Sequence, residues 1–164
     1  MKRIFIVFLC CCFMQSLGAQ VTYYNVEWRM KNKQDLFTGV CKIELKNNTD
    51  IKGEIAWVFL AVDSTDKSMM DIYEGKKGKC GIEKVEGSYT AETHDVYFEG
   101  VDKDDPSLIL GLDKYSLKLS ADKQVLYGTS ATGGTNNGMF YAIKLNNAEG
   151  IRKFALAKAR LSKK

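Results

Sequence analysis

The sequence predicts an all-β fold, an eight-stranded antiparallel up-and-down β-barrel or sandwich with a short C-terminal helix or extended tail. Three observations carry that prediction. Apolar residues alternate with polar ones at period two through most of the chain, clusters of Asn, Asp, Gly and Thr interrupt the alternation at short intervals, and no helical period intervenes before residue 147. Parallel strands need crossovers of a dozen or more residues, so short polar turns imply antiparallel pairing of sequence neighbours.

Ahead of the first strand, Lys2 and Arg3 precede an apolar run from Ile4 to Met14, and Gln15, Ser16, Leu17, Gly18 and Ala19 follow. That is the charged, apolar, small-residue order of a secretory signal peptide, so residues 1–19 are expected to be removed after Ala19. The run is about half of the ~20 residues that a membrane-crossing helix requires, and no permanent span is expected in the mature chain. Cys10, Cys11 and Cys12 lie behind Phe8 and Leu9 rather than small residues, and read as apolar filler of the signal.

The first strand places Tyr24, Val26, Trp28 and Met30 on one face. The second repeats this with Gly39, Cys41, Ile43 and Leu45, and Asn47 to Asp50 turn the chain into a hairpin. The return strand aligns Ile51, Ile55, Trp57, Phe59 and Ala61; its other face is apolar at Val58 and Leu60, which suggests that both faces are covered there. Asp63–Lys67 reads as a loop and Met69–Tyr73 as a short strand. Cys80–Thr90 is extended, Glu92–Asp95 turns, and Val96, Phe98 and Gly100 share a face. Leu108, Leu110 and Leu112 change parity to Tyr115, Leu117 and Leu119, which predicts a β-bulge near Asp113 and Lys114. Val125–Ser130 and the series Met139, Tyr141, Ile143, Leu145 complete the strands. Residues 20–146 are expected to form one barrel-like domain. Residues 147–164 form a basic tail in which alanines favour helix and Ile151, Phe154 and Leu161 fall roughly on one side.

The hairpin rhythm of Gly87, Ser88 and Tyr89, of Val96, Phe98 and Gly100, of Gly111–Ser120 and of Gly128 and Thr129 resembles that of avidin-type and lipocalin-type small secreted barrels. The likeness spans most of residues 21–145. The first strand lacks the glycine-x-tryptophan of lipocalins and the chain lacks the tryptophan set of a biotin pocket, so the resemblance implies a barrel and transfers no ligand residue.

Removal of residues 1–19 lowers the formal charge from +4 to +2, too small a value to imply nucleic-acid binding. Six basic residues against Glu149 make the tail the only strongly charged segment, and a solvated helix face accounts for it. Only Cys41 and Cys80 remain; they could be two separate thiols or a disulfide, which would add roughly 4 kcal/mol of stability.

No constellation of catalytic type stands out. His94 is the sole histidine, which leaves no histidine-rich metal site, and the serines have no evident base. Asp102, Asp104 and Asp105 are the candidate calcium ligands, without the spacing of an EF-hand. Tyr23, Tyr97 and Phe140 are the candidate ligand-binding residues, as an aromatic patch on the face opposite the core. Asn47, Asn48 and Thr49 form a glycosylation sequon that also reads as a hairpin turn. No cofactor is expected.

An outer-membrane barrel would need an uninterrupted lipid-facing apolar band, which glycines and polar breaks interrupt here. The expected function is therefore a secreted or periplasmic, non-enzymatic binding module for a small ligand or an exported partner. An inhibitor or accessory protein of another exported protein is the alternative if the interior is packed solid with Trp28, Trp57, Phe59 and Leu117. A carboxylate-dependent hydrolase would need two acids lining one cleft.

Overall fold

In the computed structural model, which describes residues 20–30, 36–61, 75–132 and 136–161, eight antiparallel strands close into a barrel in sequence order. They are β1 (Gln20–Met30), β2 (Leu36–Lys46), β3 (Asp50–Ala61), β4 (Cys80–Thr90), β5 (Asp95–Asp104), β6 (Lys114–Leu119), β7 (Val125–Thr132) and β8 (Asn136–Lys144). Helix α1 (Asn147–Leu161) follows. The expected signal peptide, the Met69–Tyr73 strand and the last three residues of the tail lie outside the described residues.

Closure is made by β1 and β8, which pair from Tyr24↔Lys144 to Met30↔Gly138. It removes the two unpaired sheet edges that an eight-strand meander would otherwise expose. The inward parity of the sequence reading holds in β1, β2, β3 and β5: Val26, Cys41, Ile55 and Phe98 are fully buried. At one end the hairpins are tight. Asn47 and Asn48 both have positive φ, 49° and 62°, and Thr49 N donates to Lys46 O at 3.0 Å, the turn that matches the strand twist and favours asparagine.

Three expectations are corrected. Strand β8 faces the other way, with Phe140 and Ala142 buried and Met139, Tyr141 and Ile143 about half exposed. Both parities of this strand are apolar, and its register against Trp28 and Gly128 decides between them.

Second, residues 105–113 form a cap rather than a bulged strand. The Asp105 carboxylate accepts the amides of Ile109 (3.0 Å) and Leu110 (2.7 Å), which turns Ile109 into the core and leaves Leu108 outside at a φ of 52°. The ladder irregularities fall instead at Leu36/Phe37 and Lys84/Val85.

Third, Ile151 is exposed, and α1 docks through Phe154 with Gly150 buried. Asn146 caps the helix by accepting the Glu149 amide at 2.9 Å. Phe154 enters a second small core with Val40, Ala56 and Ile82 on the outside of the wall, which is why β3 is apolar on both faces. The Tyr23 ring lies on Gly150, where any Cβ would collide with it.

Candidate functional site

The interior divides into two unlike halves. Toward the end where β1 and β2 meet, aromatic rings fill it: Phe37 lies 5.1 Å from Phe59, Phe98 4.8 Å from Tyr115, and Tyr115 5.4 Å from Phe140, between ring centroids. Among these rings sits one acid, Glu83, 2% exposed. Its carboxylate accepts the Tyr115 hydroxyl at 2.7 Å, the Trp57 indole N–H at 3.1 Å and the Asp113 backbone N–H at 3.1 Å. Burial raises its pKa to about 7, outweighing the opposite pull of those three donors. Burial also holds the Tyr115 hydroxyl protonated, well above its ordinary range. The network continues from the Trp28 indole to the Ser130 hydroxyl (2.5 Å) and from that hydroxyl to the Asp113 carboxylate (2.9 Å).

At the opposite end the tight turns leave a cup of about 110 Å3 open to solvent. Ile43, Ile51, Val96 and Leu126 line its depth. The buried Tyr24 and the half-buried Tyr89 line it too, with the exposed Lys123 and the half-buried Lys144 at the mouth. Burial pushes the Tyr24 hydroxyl up to about 12, so it remains a hydrogen-bond donor at neutral pH. The Tyr89 hydroxyl lies 3.3 Å from Nδ1 of His94, which is half-buried in the Glu92–Asp95 turn.

Neither rim lysine has an ion-pair partner among the described residues. The carboxylate nearest in sequence, Asp122, is turned onto the Ser120 hydroxyl (2.5 Å) and the Gln124 amide (3.1 Å). Lys123 itself has a φ of 58°, a left-handed conformation costing a branched-at-Cβ-free lysine about 1 kcal/mol relative to glycine. A glycine there would relieve the strain but remove the ammonium.

The structure separates the residues singled out from the sequence. Phe140, placed above on the outer face, is a core residue at 1% exposure, packed against Trp57, Phe98 and Tyr115. Tyr23 packs 6.2 Å from Phe154 beneath α1, and only Tyr97 stands in solvent, its hydroxyl donating to Glu99 at 3.2 Å. Asp102 pairs with Lys84 at 2.6 Å and Asp105 holds the cap, so the three aspartates do not converge. Among the described residues no group of three or more His, Cys, Asp or Glu side chains could hold a metal ion. Cys41 and Cys80 are both free thiols. Cys41 faces the core opposite Ile55, whereas Cys80 pairs with Val58 on the outward parity of the wall. Burial raises the Cys41 thiol far above its ordinary range and keeps it protonated.

Glu83, Ser130, Lys123 and Lys144 carry the two sites, and none was marked in the sequence. Glu83 had a signal: it is the one charged residue in the inward series Gly81, Glu83, Val85, Gly87, Tyr89. The lysines had none, since a rim position depends on closure of the sheet. Compared with protein-family models, with curated proteins and with solved structures, the chain matches none.

Proposed function

We propose that this barrel is a binding module that takes the apolar end of a small anionic amphiphile into the cup and holds its charged group at Lys123 and Lys144. The carrying observation is the pairing of an apolar, dead-ended cup with two uncommitted ammonium groups at its mouth. Apolar burial supplies the affinity, and the lysines with the Tyr24 hydroxyl supply the orientation. At about 110 Å3 the cup is smaller than the roughly 300–1,000 Å3 of a site enclosing a drug-sized ligand, so only one end of the ligand enters. The signal-like order of residues 1–19 supports a secreted or periplasmic setting.

Calorimetric titration with decanoate and with decanol tests this. Decanoate binds about tenfold more tightly, because two partly screened ion pairs contribute about 1 kcal/mol or slightly more together. Lys123→Glu combined with Lys144→Glu removes that preference, and Leu45→Trp, which fills the mouth, abolishes binding of both. Equal affinity of wild-type protein for the two ligands, or no binding of either, contradicts the reading.

A second reading has its own observation. The aromatic half of the interior is packed solid, as expected of an inhibitor or accessory protein that acts through its surface. Native mass spectrometry of protein from its own host separates the two: a retained small molecule supports capture in the cup, and a retained protein with an empty cup supports the alternative. For a carboxylate-dependent hydrolase, Glu83 is the most perturbed acid, but both of its oxygens already hold donors within the core.

A further inference from the structure

The outside of the barrel is uneven in charge. On β2 to β6 the outward positions carry ladders of opposite charges, as in Lys52–Glu86 (2.7 Å), Lys84–Asp102 (2.6 Å) and Lys114–Glu99 (3.4 Å). Helix α1 covers part of the wall over β1 to β4. On β7 and β8, by contrast, the described outward side chains are Val125, Tyr127, Thr129, Ala131, Met139, Tyr141 and Ile143, with no charge among them.

Four of these large side chains are unusually open: Tyr127 at 46%, Met139 at 48%, Tyr141 at 48% and Ile143 at 49%. Together with Tyr97 they expose on the order of 400 Å2, the size of the largest apolar patch on a typical monomer. Tyrosine and methionine without lysine or glutamate is also the composition of interface centres.

The cross-strand rows on this face identify the occupant. One row reads Lys118, Tyr127, Tyr141, Glu27 through the pairs Lys118↔Tyr127, Tyr127↔Tyr141 and Glu27↔Tyr141. It runs from basic through two aromatics to acidic. A two-fold axis lying along the strands, midway between β7 and β8, turns this row end for end. It places Tyr127 over Tyr141 of the other copy and Lys118 over its Glu27, twice.

The adjacent rows are self-complementary about the same axis. Val125 pairs with Ile143 and Thr129 with Met139, so each lands on its own cross-strand neighbour in the second copy. In the next column Arg29 falls over Ser116, which brings no like charges together.

From this row pattern we infer that the β7–β8 face is the centre of a homodimer interface, occupied by a second copy of this chain. The patch supplies about half of the ~800 Å2 that each partner of a standard interface buries, and the charged flanks supply the remainder. The face lies on the outer wall, away from the cup, so dimerisation and ligand binding are independent claims.

Sedimentation equilibrium of the purified chain under reducing conditions, which silence the half-exposed Cys80, tests the inference. The expected mass is twice that of the chain at micromolar concentration. Lys118→Glu alone and Glu27→Lys alone each set like charges face to face across the axis and weaken association by about tenfold or more. The double variant Lys118→Glu, Glu27→Lys restores the complement and returns the dissociation constant to within about threefold of wild type. Both positions are exposed, and a retained β-type circular dichroism spectrum verifies that each variant folds. A wild-type chain that is monomeric throughout the micromolar range overturns the inference, including one that instead sediments with phosphatidylcholine vesicles. So does a single variant that stays dimeric or a double variant that stays apart.

Discussion

Phe140→Ala is expected to lower the unfolding free energy by about 4 kcal/mol, and Tyr141→Ala by less than about 1 kcal/mol, in urea denaturation at sub-micromolar concentration. The two residues are adjacent and both aromatic, so composition alone predicts no difference. The difference comes from the pleat. Phe140 is 1% exposed and makes edge contacts with Trp57, Phe98 and Tyr115 at centroid distances of 6.1, 6.2 and 5.4 Å, so its loss leaves a cavity walled by rings that cannot close in. Tyr141 is half in water, and at this dilution association contributes nothing to its stability. Equal effects, or the reverse order, would mean that β8 is registered one residue away from the position described here.

The second large effect concerns Glu83. Its folded pKa of about 7 stands above an unfolded value of 4.5, so between those two values the native state holds a proton that the unfolded chain has released. The unfolded state therefore binds fewer protons in that window, and stability falls as pH rises from about 4.5 to about 7, then levels off. The magnitude is about 3 kcal/mol. Glu83→Gln cannot titrate and is expected to flatten the dependence. Glu83→Ala removes the acceptor of the Trp57 and Tyr115 donors and is expected to cost about 3 kcal/mol even at pH 5, where the native carboxyl is neutral. A wild-type stability that rises between pH 5 and pH 7, checked by thermal melts over that range, contradicts this assignment.

The alternation of β1, β2 and β5 was legible because each of those strands has one apolar and one mainly polar parity. Where both parities are apolar, period two says that there is a strand but not which face is inside. In β3 the ambiguity reflects a real second contact, since Ala56 is buried toward Phe154. In β8 it misassigned the face, and with it the role of Phe140. The Leu108, Leu110, Leu112 series imitated a strand because a cap with one buried residue in its middle also shows alternation. What made it a cap is the reach of the Asp105 carboxylate to two amides four and five residues on, a local bond that the pattern does not encode.

The candidate site was less legible than the fold. Lys123 lies in the turn before β7 and Lys144 ends β8; the β7–β8 ladder brings them together, where the Lys144 amide donates to Gln124 O at 2.8 Å, and closure of the sheet turns them onto the rim of a cup. Glu83 on β4 meets Trp57 on the adjacent β3 and Tyr115 on β6, two strands on, through inward side chains whose reach the pattern does not encode. The cup thus depends on closure of the sheet, and the buried acid on the curl that turns β3, β4 and β6 toward one interior.

Closure can be observed directly as proton–proton contacts between the backbones of β1 and β8 in an isotope-edited nuclear Overhauser spectrum. Contacts linking Val26 with Ala142 and Trp28 with Phe140, together with slow amide exchange along both strands, are the predicted result. Their absence, with amides of β1 and β8 exchanging rapidly as free edges do, would contradict a closed barrel.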